Sequence, residues 1–545
     1  MMKKPWLKNY DKNVPHTLEY PELTLPEFLM KTASDHPEHI ATTLNDIDLT
    51  YKEINERANG FAHALQSFGV KKGDRVALIL PNSPTYVIAF YGAMKIGAIA
   101  VNINVMYHGA ELKNLINNSG AKIVVSLDIF VQNVLNIIKD TSVGTIVIHS
   151  VMGMEKTVDK DKGVSELIIF NDLVASQSTD EPGLDCSNND IAVLQYTSGA
   201  TGMPKAAALT HRSIIANVMQ ISSWNPLIYA ENPSVICILP FFHVFGMTVC
   251  LHVSVFKGYR MILLPMFDWS NIVDMLDLLK KYRPISFPAV PALWAALVSY
   301  PNVTKDHFSS IEIASGGGSP MPVWVQEKYK ALTGKSIVEA YGLSEASSST
   351  HINPFHGNAI PGSIGIPLPG TDAKIVDIKK ETHECPVGEV GELAIKGPQL
   401  MDGYWQHPEK SQHALRDGWL YTGDLARMDE NGFFYLVDRK DDMILSKGFN
   451  VYPTEVEKVL EKYKGIKEAC VVGMPDRLGG SSITAFLVLE KEGSVGKKEL
   501  LDYCAEKLPA FKMPKIIKYI DEIPKNRIGK PLRRILREQE NKMKS

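Results

Sequence analysis

Short, unbroken apolar runs alternating with amphipathic segments constrain this chain more tightly than any other feature. VALILP (76–81), AIAVNIN (98–104), AKIVVS (121–126) and TIVIHS (145–150) lack the polar alternation of a strand with one wet face. Such runs belong to strands covered on both sides. Ahead of the first, Thr50 and Glu53 form a capping-box pattern, and Ile54, Ala58, Phe61, Ala62 and Leu65 recur at helical spacing until Gly69 stops the helix. Strands that alternate with helices imply βαβ units and mainly parallel sheets. The alternation resumes at IAVLQYTS, a helix from about 211, SVICILP, RMILLP and a helix around 270–281.

From about 360 to 437 the texture changes. Gly and Pro become dense, and DAKIVD, GELAIKG and GFFYLVD read as short strands of a β-rich subdomain. DRKDDM (438–443) is a charged break. Beyond it, TEVEKVLEKY and KKELLDYCAEKL read as helices, and EACVVGM, ITAFLVLE and KIIKYI as strands. The expected fold class is therefore α/β: a large N-terminal domain over 1–437, a hinge at 438–442, and a small mobile α+β domain over 443–545. A chain of 545 residues with 45% hydrophobic and 22% charged residues can bury such cores, and disorder is excluded. Net charge of -3 gives no reason to expect nucleic acid as a partner. The six cysteines are scattered with no CxxC pair, as for reduced thiols in the cytoplasm. Residues 231–257 are apolar enough to raise a membrane span, but Pro233, Pro240, His243, Gly246 and His252 interrupt them, so a buried strand–turn–helix is expected.

The segment Tyr196-Thr-Ser-Gly-Ala-Thr-Gly-Met-Pro-Lys205 combines hydroxyls, two glycines and a lysine after an apolar run. Backbone N–H groups, hydroxyls and one cation suit a polyphosphate, although the spacing is not that of a Walker A loop. In Glu339-Ala-Tyr-Gly-Leu-Ser-Glu345, Tyr341 suits stacking on a base and Glu345 suits Mg²⁺. Asp424 sits in a turn motif, YTGD, where it could accept from ribose hydroxyls. Arg439 lies beside the charged break, and Lys530 ends the tight loop PKNRIGK. Taken singly, each has an ordinary alternative: a core tyrosine, a turn aspartate, a surface charge, a basic tail.

The order of YTSGATGMPKAA, PFFHVFG (240–246), GGSPMP (317–322), EAYGLSE, GELAIKG, WLYTGDLA, DRKDDMILSKGFNVYPTEVE and PKNRIGK resembles the adenylate-forming superfamily of acyl-CoA synthetases, adenylation domains and beetle luciferases, from about residue 25 to 535. That resemblance implies a two-step reaction using ATP, Mg²⁺ and coenzyme A. A carboxylic acid becomes an acyl-AMP, and CoA then displaces AMP. Thr197, Ser198, Gly199, Ala200, Thr201, Gly202 and Lys205 would hold the β/γ-phosphates. Gly317, Gly318, Ser319, Glu339, Ala340, Tyr341 and Gly342 would form the adenylate pocket, with Ser344 beside the metal ligand Glu345. Asp424 would hold ribose, Arg439 would reach ribose or phosphate, Lys530 would drive adenylation, and His243 would stand beside the acyl carboxylate. Asp441 matches the hinge, about which the small domain turns, and Lys447, Gly448 and Asn450 the pantetheine path. Two positions depart from the usual loop: Ala200 replaces a Thr and Ala206 a Gly.

The lead KPWLKNYDKNVPHTLEYPELTLPEFL resembles bacterial long-chain fatty-acid–CoA ligases, so a fatty acid is the expected substrate. Medium-chain, alicyclic or aromatic acids are the alternatives, as is an acyl-AMP ligase that loads a separate carrier protein. A non-enzymatic adenylate-binding scaffold is the competing class. Peripheral membrane contact and a homodimer stay open.

Overall fold

The computed structural model describes residues 4–150, 166–197, 204–224, 233–265, 271–380, 383–446, 449–475, 481–491, 493, 495–525 and 531–544. The chain divides into two compact units. The first holds Met1–Gly199, Met203–Asp372 and Lys396–Leu420, and the second gathers Ala373–Ile395 and Tyr421–Ser545. Residues 360–437 are thus shared between them.

Two large sheets build the first unit. One has the strand order Gly403–Tyr404, Lys205–Thr210, Ile191–Thr197, Ile99–Asn102, Arg75–Ile79, Ile123–Leu127, Thr145–His149 and Glu166–Ile169. From Ile191–Thr197 onward its pairings are parallel, and the two strands at the other edge are antiparallel. The second sheet runs from Ile366–Pro367 through Ser348–Ile352, Val338–Leu343, Ile313–Gly316, Ser286–Ala289, Ser234–Cys237, Arg260–Leu263 and Ile40–Leu44 to Ile47–Thr50. Its interior is parallel and both rims are antiparallel.

The expected elements fall where the apolar patterns put them. Thr50 N–H donates to Glu53 Oε2 at 2.8 Å and Glu53 N–H to Thr50 Oγ1 at 3.2 Å, closing the capping box of helix Tyr51–Ser67. Ile54, Ala58, Phe61, Ala62 and Leu65 are all fully buried. Gly69 takes φ 76°, which ends the helix in the left-handed region. The apolar stretch around 240 becomes the strand Ser234–Cys237, a turn, an eight-residue π-helix at Phe245–His252 and the helix Val253–Lys257. Among the described residues no helix is long and apolar enough to cross a membrane. All six cysteines are free thiols.

In the second unit, Phe434–Arg439 pairs antiparallel with Trp419–Met428, in a sheet that also holds Gly391–Lys396 and Asp372–Val376. A smaller sheet sets Ile466–Pro475 antiparallel to Ser481–Leu489, which runs parallel to Ile516–Tyr519. The period of two divides the long strand between two cores. Ala469 and Val471 face a cluster with Leu460, Leu500 and Cys504, while Cys470, Val472 and Met474 face one with Phe486 and Leu536. The second face is closed by helix Arg533–Lys544, where the sequence pattern suggests no more than a basic tail.

Candidate active site

In the first unit several motif residues follow the carboxyl end of a strand. Ser234–Cys237 leads to His243, Ile313–Gly316 to Gly317–Ser319, and Val338–Leu343 to Glu345. These strands run parallel in one sheet, with Ser286–Ala289 between the first two, so their carboxyl ends share one rim, the usual place for a ligand in an α/β sheet.

Thr197 and Lys205 face each other in register across an antiparallel pair, so they fix both ends of the motif between them. Ser198, Gly199, Ala200, Thr201 and Gly202 lie outside the described residues. Lys205 Nζ stands 4.4 Å from the ring centroid of Tyr404, and Tyr404 Oη donates to Glu345 Oε1 at 2.7 Å. The ring sits there because residues 401–405 follow the edge of the lysine's strand. Asp402 N–H donates to Ala208 O and Trp405 N–H to Ala206 O, while Met401 N–H donates to Glu345 O. Lys205, Tyr404 and Glu345 thus form one cation–aromatic–carboxylate cluster. Sequence reading missed Tyr404, because only the sheet edge brings it to the lysine. The methyl of Ala206 is buried in the core with Leu194 and Ala208, so this departure from the usual glycine is a packing feature.

Two glycines are required by close approach. A Cβ at Gly342 would lie 1.7 Å from Ser348 O, where Ser347 turns the chain back with φ 57°. A Cβ at Gly317 would lie 2.9 Å from Ala340 O and 3.4 Å from the Phe245 ring. Tyr341 is buried, edge-on to His351 at 5.9 Å, whereas Gly318 and Gly342 are exposed and Ser319 is half-buried. Glu339 is 4% exposed; its Oε1 accepts from Met321 N–H at 3.1 Å, and burial pushes its pKa up to about 7.

His243 is half-buried in the turn before the π-helix. Its Nδ1 accepts from Phe245 N–H at 3.2 Å, and desolvation holds its pKa down to about 4. The ring is therefore neutral at pH 7 with its proton on Nε2, a donor available to an oxyanion.

The second unit brings together Asp424 and Arg439, adjacent across two strands with an ion pair of 3.0 Å. Glu392 supports the same turn, accepting from Gly423 N–H at 3.0 Å and from Lys440 Nζ at 2.8 Å. Asp438 accepts from Thr454 N–H at 2.9 Å, at the start of helix Pro453–Leu460. Asp441 is exposed in the short turn Lys440–Asp442. Asn450 lies in the strand Phe449–Val451, opposite Leu445. Lys447, Gly448 and Lys530 lie outside the described residues; Lys525 and Pro531, which flank the last, pair as a β-bridge.

The paired strands that end at Thr197 and begin at Lys205 belong to one sheet, and a carboxylate oriented by a tyrosine and a neutral histidine follow strands of the other, a residue set suited to a nucleotide-dependent enzyme. Residues 29–405 match the AMP-binding enzyme family and residues 455–530 its C-terminal domain, and the chain belongs to that family. It is 38% identical to a long-chain-fatty-acid–CoA ligase of Bacillus subtilis over 98% of each chain. Among solved structures it resembles ATP-bound MatB from Rhodopseudomonas palustris, with a TM-score of 0.85, 28% identity and coverage of 96% and 100% of the two chains. It also resembles the anthranilate CoA ligase AuaEII in complex with anthranoyl-AMP, with a TM-score of 0.84, 25% identity and coverage of 97% and 99%.

Proposed function

We propose that the chain is an ATP-dependent, AMP-forming fatty-acid–CoA ligase. The likeness to the Bacillus subtilis ligase, spread over 98% of both chains, carries the fatty-acid substrate. The geometry of the first unit supports the adenylate chemistry.

In the first half-reaction a carboxylate oxygen bonds to the α-phosphorus of ATP, and the bond to the bridging oxygen breaks to release pyrophosphate. Negative charge grows on that oxygen and on the α-phosphate, so fixed donors and cations lower the barrier. Lys205 and the backbone after Thr197 serve the β/γ-phosphates, while Asp424 and Arg439 serve ribose. His243, neutral and carrying its proton on Nε2, donates to the acyl oxygen without competing as a cation for the carboxylate's attack. The role of Lys530 as the adenylation lysine rests on its motif. In the second half-reaction the CoA sulfur bonds to the acyl carbon as AMP leaves, and the thiol proton is released.

One protein carboxylate, Glu345, with one oxygen already engaged by Tyr404 and the Ser344 hydroxyl next to it in the chain, suits Mg²⁺, which takes few protein ligands and fills its shell with phosphate oxygens and water. When bound there, the ion supplies charge neutralisation at the phosphates.

Pyrophosphate release across saturated acids from C2 to C18, with cyclic and aromatic acids alongside and CoA present or absent, tests this reading. Fastest turnover with long-chain acids and dependence on CoA are expected. Turnover that needs no CoA indicates a carrier-loading enzyme, and silence with every acid overturns the ligase reading.

A further inference from the structure

Of three side chains at the carboxyl ends of adjacent parallel strands in one sheet, two bond the loop that leaves the other sheet and the third joins one of these to Tyr86. Asn82 follows Arg75–Ile79, Asn102 ends Ile99–Asn102, and Gln195 lies near the end of Ile191–Thr197. Asn102 and Gln195 are direct cross-strand partners. All three are at most 2% exposed, and Tyr86 beside them is fully buried. Polar groups at that depth are costly unless bonded, so their connections matter.

Asn82 clamps the start of the histidine loop. Its Nδ2 donates to Cys237 O at 2.8 Å and Leu239 O at 2.9 Å, and its Oδ1 accepts from Phe241 N–H at 2.7 Å. The other residues form a chain with one direction. Tyr86 Oη lies 2.6 Å from Asn102 Oδ1 and 2.9 Å from Phe241 O. Asn102 Nδ2 donates to Gln195 Oε1 at 3.1 Å. Gln195 Nε2 then donates to Phe242 O at 2.9 Å, on the peptide that enters His243. Each amide is held by a partner on both its oxygen and its nitrogen, so neither can flip without breaking two bonds.

Gln195 lies two residues before Thr197 on the same strand, and its side chain shares a face with that of Thr197. We propose that Gln195, oriented by Asn102 and Tyr86, is a positioning residue for adenylation: it sets the loop carrying His243 against the strand that leads into the phosphate-binding segment. The inference rests on the acid–CoA ligase reading and assigns Gln195 no contact with substrate. Its effect is on alignment, so loss of the Phe242 bond lowers kcat for acyl-AMP formation and leaves the KM for ATP almost unchanged.

Gln195→Glu gives the sharpest test. In that variant a protonated carboxyl can still donate to Phe242 O, whereas an ionised one turns a lone pair on that carbonyl. Burial raises a carboxyl's pKa, as it does for Glu339 in the same unit, so lower pH favours the protonated form that keeps the donor. Tyr86, whose pKa is raised well above its ordinary value, and His243 both stay neutral from pH 5 to 8 and do not mask it.

The measurement is pyrophosphate release by the full chain, reported as the ratio of variant to wild-type kcat. A ratio of about 0.01 at pH 8.5 rising at least about tenfold by pH 6 is expected, with the KM for ATP within about threefold of wild type. A ratio that is flat with pH, or near one throughout, overturns the proposal. Gln195→Met, similar in volume and without the donor, supplies a second reading if the first variant does not fold. It takes the amide partner from Asn102 Nδ2 and Phe242 O, so it should melt below wild type and, where folded, lose about thirtyfold or more in kcat; unchanged kcat overturns the proposal equally. Wild-type turnover is scored separately: its absence with every acid counts against the ligase reading, whereas active wild type with unaffected variants counts against Gln195 alone.

Discussion

Around His243 the supporting groups are uncharged: Asn82, Tyr86, Asn102 and Gln195 are buried and joined by neutral hydrogen bonds. In the second unit the corresponding work falls to ions. Glu392 holds Lys440, Asp442 holds Arg537 at 2.8 Å, and Arg533 meets both oxygens of Glu457 at 2.8 Å. A neutral network keeps its geometry across pH and salt, and it leaves the field at the acyl site to the reactants. An ionic one is strong only while every partner is present and correctly protonated. Breaking each kind of support therefore has a distinct signature.

The largest effect is expected from Arg533→Met. It strands Glu457, 8% exposed, leaving it the Val471 N–H at 2.7 Å. Losing one partner of a buried pair costs about 3–5 kcal/mol. Burial already raises the Glu457 pKa against the pull of Arg533, so the penalty should fade toward acid pH, where the carboxyl is neutral, and be full above neutrality. Urea unfolding of the full chain at pH 5 and pH 8 measures it; equal loss at both would mean that charge is not what the second unit relies on.

Lys530→Ala comes next. Removing a cation that serves the developing charge should lower acyl-AMP formation by about 10²–10³-fold. Thioester formation from supplied acyl-AMP should be spared. A parallel fall in both half-reactions would remove the proposed division of labour.

The neutral region has its own weakness in acid. His211 and His243 are held down to about 4, and His252 and His351 to about 3, by burial. Their folded pKa values lie below the unfolded one, so the unfolded chain takes up protons that the folded chain refuses. Stability is complete above about pH 6.5 and falls as pH drops toward 4, at up to about 1.4 kcal/mol per pH unit for each group. Glu339 acts in the opposite sense, because a raised carboxyl pKa weakens the fold as pH rises from about 4.5 to about 7. Melting temperatures between pH 7.5 and 5 should fall, and His211→Gln, which keeps an acceptor for Leu25 N–H, should flatten the slope. An unchanged slope would show that His211 is not one of the groups responsible.

The smallest expected change is in Tyr404→Phe. The ring stays over Lys205 while the bond to Glu345 is lost, and kcat should fall about tenfold. Tyr404→Ala removes both contacts and should fall further. If the two variants are equal, the cation–aromatic contact contributes nothing.

Most of the strand and helix order was legible because buried parallel strands and capped amphipathic helices leave strong local patterns, as at 76–81 and at Thr50 and Glu53. The ordered motifs likewise located the rim segments. What escaped were contacts made by topology. Tyr404 meets Lys205 only because its segment joins the edge of the lysine's strand, and Gln195 looked like one more position in a covered strand. The final helix escaped because, apart from Ile535 and Leu536, nine charged or amide-bearing residues and one methionine fill Arg533–Lys544, leaving little apolar periodicity.

Gly246 carries a consequence for how such an enzyme diversifies. A Cβ there would sit 2.3 Å from Pro240 O and 2.5 Å from Leu239 O, so the loop around His243 is folded onto its own backbone. Any side chain at that position would have to displace this backbone, whatever the acid in use. Drift in substrate range must travel through side chains that leave the loop's path untouched, which makes this turn a fixed point around which relatives with different diets can vary.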